Sequence, residues 1–127
     1  MYTAQLLDHF QNPRNAGDVT DPDASAEIEN PVCGDILRLS LRVSESRISE
    51  ARFKAKGCVP AMACGSALTE LLPQKTLAEA RLLRREDVVN AVGGLPQAST
   101  HAAQLAIDVL SAALAQLNSK QDASRNT

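Results

Sequence analysis

The apolar positions change from alternating to helical spacing at about residue 58. From Ile36 to Val43, Leu37, Leu39, Leu41 and Val43 fall on one face while Arg38, Ser40 and Arg42 fall on the other, the period of a half-buried strand. Ser44-Glu45-Ser46 reads as a turn, after which Ala51, Phe53 and Ala55 alternate with Arg52, Lys54 and Lys56 in a second strand. Glu27 to Val32 is the third candidate strand. Short connections leave no room for a crossover, so an antiparallel meander is expected.

Before the sheet, Tyr2, Leu6, Leu7 and Phe10 have helical spacing, and Asn12-Pro13-Arg14-Asn15-Ala16-Gly17 ends that helix in a turn. Asp18 to Ser25 is a polar loop. Beyond Cys58 the chain is helical: Pro60 to Leu72, stopped by Pro73; a segment opened by the capping box Thr76-Leu77-Ala78-Glu79; and Arg85 to Val92, closed by Gly93-Gly94. The longest helix carries Ala102, Leu105, Ala106, Val109, Leu110, Ala113, Leu114 and Leu117 in one stripe, with Ser99 or Thr100 as N-cap. The reading is an α+β fold: a three-stranded antiparallel sheet packed by C-terminal helices, with a short N-terminal helix. Residues 1–118 make one domain and 119–127 a flexible polar tail.

Composition narrows the function. Thirteen basic and fifteen acidic residues give a net charge of −2, and one Tyr, two Phe and no Trp provide no stacking platform, so nucleic acid is not expected as a partner. No apolar run approaches the roughly 20 residues of a membrane span. Three cysteines, an odd number, without a secretory signal fit a reducing compartment, and a cytoplasmic protein with free thiols is expected.

The candidate chemistry lies at element ends. Cys33 and Asp35 flank Gly34, so in an extended segment both side chains leave one face while the glycine permits a bend. Cys58 opens the Pro60 helix, where the positive end of the helix dipole favours a thiolate. His101 lies in the first turn of the last helix. If these segments converge, two thiols, a carboxylate and an imidazole form a set suited to zinc or iron and ill suited to calcium or magnesium. Cys64 is read as helix packing, or else as a substitute ligand or sulfur acceptor; His9 is read as structural.

With these residues the chain resembles the iron-sulfur cluster assembly scaffolds of the IscU type and the N-terminal domain of NifU. The resemblance is carried by Asp8-His9-Phe10-Gln11-Asn12-Pro13-Arg14-Asn15-Ala16-Gly17, Pro31-Val32-Cys33-Gly34-Asp35, Ala51-Arg52-Phe53-Lys54 and Gly57-Cys58. Leu68-Thr69-Glu70, Thr76 to Ala80, Leu95-Pro96 and His101 extend it over nearly the whole domain. It implies a scaffold or carrier, not an enzyme, that holds iron or a [2Fe-2S] cluster on Cys33, Asp35, Cys58 and His101 for transfer to acceptor proteins. Two departures stand out. Where the family has a third cysteine that takes sulfur from a cysteine desulfurase, this chain has Ala102, so Cys58 or Cys64 becomes the candidate sulfur acceptor. Where the family has a heat-shock chaperone motif, this chain reads Leu95-Pro96-Gln97-Ala98-Ser99, which counts against chaperone docking. The rival readings are a zinc-binding or regulatory member of the family and a thiol-based sulfur-transfer protein.

Overall fold

Three antiparallel strands, β1 (Ala24–Glu29), β2 (Ile36–Ser44) and β3 (Arg47–Lys56), form a meander in the order β1-β2-β3. The computed structural model describes the backbone of residues 2–125 and the side chains through Leu117. The helices are α1 (Ala4–Gln11), α2 (Val59–Leu71), α3 (Leu77–Arg81), α4 (Arg85–Ala91) and α5 (Thr100–Arg125). The β2–β3 connection is the tight turn expected, with Glu45 and Ser46 at φ 54° and 66°, the twist that suits a two-residue hairpin. The α+β architecture follows the reading of the sequence.

Alternation positions the core. Leu37, Leu39 and Leu41 of β2, with Ala51 and Phe53 of β3, are buried under α2 and the apolar stripe of α5, every member of which is buried. Both predicted N-terminal signals of α3 are present: Thr76 Oγ1 accepts from Glu79 N–H at 3.1 Å, and Glu79 Oε1 accepts from Thr76 N–H at 2.9 Å.

Three local expectations are corrected. The first strand spans Ala24–Glu29 rather than Glu27 to Val32, because Asn30 turns the chain: its carbonyl accepts from Gly34 N–H, and its side chain from Val32 N–H. In α1 only Leu6 and His9 are buried; Tyr2 and Leu7 face outward, since eight residues present one narrow stripe to α2. Neither Ser99 nor Thr100 caps α5 by its side chain; a 3₁₀ turn, Gln97–Ser99, leads into it, and the Thr100 hydroxyl donates back to the Gln97 carbonyl at 3.0 Å. The helix α5 runs to Arg125, within the stretch 119–127 expected as a polar tail, and residues 126–127 lie outside the described residues.

Ser66 fastens the N-terminal segment to α2. Its buried Oγ is 2.8 Å from His9 Nδ1 and accepts from Arg14 N–H at 2.9 Å, joining α1, the following turn and α2 at one atom. His9 is structural, as read from the sequence. Burial and the Arg14 guanidinium hold its ring below the ordinary imidazole range, against the pull of Glu70 and Asp8. A depressed imidazole supports folding above the unfolded value of about 6.5 and loses that contribution as pH falls through the folded value. His9→Gln is therefore expected to flatten the fall in stability below about pH 6.5, as read from urea midpoints. Ser66→Ala should cost about 1–3 kcal/mol at pH 7, because it leaves the buried ring and amide unpaired.

Candidate metal centre

The site forms where the β1–β2 loop, the end of β3 and the start of α5 meet. Asn30 N–H donates to the Asp35 carbonyl at 2.7 Å, and Gly34 N–H donates to the Asn30 carbonyl at 2.7 Å, so the loop closes on itself. This closure leaves Cys33 exposed at the rim and sends Asp35 inward, 3% exposed. Cys33 and Asp35 are thus not related by strand alternation: Gly34 has φ 76°, a left-handed residue in a turn.

Cys58 is the N-cap residue of α2, with φ −79° and ψ 163°, as its place before Pro60 predicts. Its backbone N–H donates to Asp35 Oδ1 at 3.0 Å and its thiol donates to Asp35 Oδ2 at 3.0 Å. The third element is α5, whose first turn places His101 Nε2 3.7 Å from Asp35 Oδ2. Ligand atoms of Cys33, Asp35 and His101 lie within 4.8 Å of one another. Cys58 stands outside that group of three and reaches it through its two bonds to Asp35, so the carboxylate is the residue that the other three have in common.

The electrostatics differ from the expectation at Cys58. Burial first, and then the hydrogen bond to Asp35, push its thiol up to about 11; the bond from Ala61 N–H works in the opposite direction and is outweighed. Proximity to a helix N-terminus does not make this a free thiolate, because the neighbouring carboxylate prefers a protonated partner. Burial also works to raise the Asp35 carboxyl, but bonds from the Cys58 and Cys33 side chains and the Cys58 amide, with the nearby His101, outweigh it and hold it below the usual range. A cation held here would meet an ionised carboxylate, and a thiol could join it only on giving up its proton.

Cys64 does not join the group. It lies fully buried in the main core, where burial, with a smaller push from Cys58, drives its thiol up to about 12. Ala102 is likewise fully buried. Two residues that shape the site carried weaker sequence signals. Asn30 builds the loop, and its Asn-Pro pair marks a turn; Gly57, beside Cys58, touches Asp35 along bare backbone.

The class of protein is thus an α+β fold with a thiol–carboxylate–imidazole cluster at one end of its sheet, a donor set with the chemistry to hold a soft metal ion. Residues 1–124 match the NifU-like N-terminal domain model, and the chain belongs to that family. It is 41% identical over 114 residues to the iron-sulfur cluster assembly scaffold protein IscU 1 of Archaeoglobus fulgidus, a match covering 90% of this chain and 74% of that protein. It is 36% identical over 126 residues to the iron-sulfur cluster assembly scaffold protein IscU of Escherichia coli K12, covering 96% and 98%. The crystal structure of a nitrogen-fixing NifU-like protein (N-terminal) from Brucella abortus superposes with a TM-score of 0.77 at 18% identity, covering 93% of this chain and 94% of that one, which establishes the common fold.

Proposed function

We propose that this protein is an iron-sulfur cluster assembly scaffold or carrier, holding iron or a nascent [2Fe-2S] cluster on Cys33, Asp35, Cys58 and His101 and handing it to acceptor proteins. The observation that carries this reading is the meeting of two thiols, a carboxylate and an imidazole from three separate elements around Asp35. The printed names of its relatives support it. Soft thiolates retain iron and sulfide, whereas the hard carboxylate oxygen is the member of the set best suited to leave. Cys33 at the rim keeps the cargo reachable by an acceptor. Such a protein acts by binding and release and needs no catalytic turnover.

Sulfur reaches the site as sulfide, as a preformed cluster, or on Cys58. We assign Cys64 to the core, since its thiol is closed to solvent. With alanine at position 102, loading by a cysteine desulfurase is expected to be slow. Anaerobic incubation with ferric iron and sulfide, which together carry the charge of an oxidised [2Fe-2S] cluster, should give a coloured protein with equal iron and acid-labile sulfide. Zinc without sulfide in protein purified anaerobically, and no colour on reconstitution, would move the assignment to the zinc-binding alternative, for which four such ligands also suffice.

A further inference from the structure

We infer that Gly57 is a positioning residue for the site: the bare backbone at this place is what lets the Asp35 carboxylate sit against the amide and thiol of Cys58. The inference deepens the scaffold reading and rests on it only for its metal-binding consequence.

Gly57 follows the last ladder pair of the sheet, Ile36 with Lys56, and precedes the α2 cap. Its φ of +141° is a backbone conformation that side-chain-bearing residues rarely adopt. A Cβ built there would lie 2.7 Å from Asp35 Cγ and 3.0 Å from Asp35 Cα, and nearer still to Oδ1. Turning the carboxylate aside relieves the contact to Cγ but gives up the bonds to Cys58, and the methyl still meets Asp35 Cα, the backbone just before β2. Either the end of β3 moves away from Asp35, or Asp35 leaves its place; both break the paired bonds to Cys58.

The glycine on the other side of Asp35 has a different duty. Gly34 has φ 76° and no atom within 4 Å of a built Cβ, so its requirement is conformational and a residue that tolerates the left-handed region can stand in. Glycine at 57 is required by contact as well. The two glycines flanking this carboxylate therefore separate experimentally: Gly34→Asn should keep the site and Gly57→Ala should lose it.

The primary measurement is amide hydrogen exchange at Cys58 in the metal-free protein, read by NMR. In the parent the Cys58 amide is bonded to a buried carboxylate and should be protected. Gly57→Ala and Asp35→Gly should each speed its exchange by roughly tenfold or more, and the double variant by no more than Asp35→Gly alone. Cobalt(II) then reports the metal site: Gly57→Ala should lower its affinity at least roughly tenfold and weaken the thiolate-to-metal absorption, while Gly34→Asn keeps both within about twofold. If Gly57→Ala unfolds the protein, removal of the clashing carboxylate in the double variant should recover part of the lost stability, the remainder being the strain of alanine at φ +141° and its contact with the Asp35 backbone. A protected Cys58 amide in Gly57→Ala, an equal effect of the alanine with and without Asp35, or no rescue by the double variant would overturn the proposal. A parent that binds no cobalt but shows the exchange pattern would refute the scaffold reading and leave the role of Gly57 standing.

Discussion

Cys58→Ala is expected to abolish the colour of the reconstituted protein and to lower cobalt or iron affinity by more than about 100-fold. Loss of a residue that merely orients a ligand already costs roughly 10- to 100-fold, and Cys58 is placed to be both ligand and partner of Asp35. The fold should survive, because the amide bond to Asp35 does not need the sulfur and α2 loses only the weak N–H···S bond from Ala61 at its start. Cys64→Ala is the counterpart. It should keep the colour and cost about 1 kcal/mol of stability through a small buried cavity, since Cys64 is fully enclosed in the core. Visible spectra and urea midpoints of the two variants check both statements. A colourless Cys64→Ala protein with normal stability would show that the ligand set is wrong.

Gly65→Val should be the most destabilising of the substitutions considered away from the site. Gly65 lies mid-way along α2 where the helix crosses the sheet, and a Cβ built there would sit 2.6 Å from Phe53 Cδ2 and 2.9 Å from Leu37 Cδ1. Two opposing effects decide the sign. Replacing a helical glycine by alanine gains up to about 1 kcal/mol of helix propensity, whereas overfilling a packed core costs typically about 1–3 kcal/mol. Both obstructing side chains are almost fully buried, Phe53 at 3% and Leu37 at 1%, so neither can swing into solvent. Gly65→Ala is therefore expected to lose about 1 kcal/mol net, and Gly65→Val about 3 kcal/mol, since its two further methyl groups find no space. For a domain of this size each kcal/mol corresponds to roughly 3–6 °C in Tm. Thermal unfolding followed by circular dichroism measures it, and an unchanged Tm for the valine variant would disprove the close helix–sheet contact.

Local signals were legible where neighbours in sequence decide the outcome. The alternation in β2 and β3, the capping box at Thr76 and the stop at Pro73 each depend on a few consecutive residues, and each appears where read. The displaced first strand shows the limit. Glu27 to Val32 offered weak alternation, and the Asx bond of Asn30 to Val32 N–H, together with Ala24–Ala26 pairing against Leu39–Leu41, moved the strand three residues back. The inward face of α1 was half legible: Leu6 was named correctly, but a short helix with several apolar residues does not say which of them its neighbour will cover.

The sequence by itself determined which segments become strands and helices, and which side chains have the chemistry to hold a soft metal. Only the tertiary structure decided that Cys33, Asp35 and His101 lie together, that Cys58 bonds to Asp35 beside them, and that Cys64 is sealed in the core. It also decided that burial and the Asp35 carboxylate push the thiol of Cys58 up, against the effect of the helix start. The reason is physical: strand and helix formation answer to spacing along the chain, whereas ligand distances, burial and protonation answer to which distant backbones approach. Asp35 and Cys58, 23 residues apart, meet through a contact that a bare Gly57 permits.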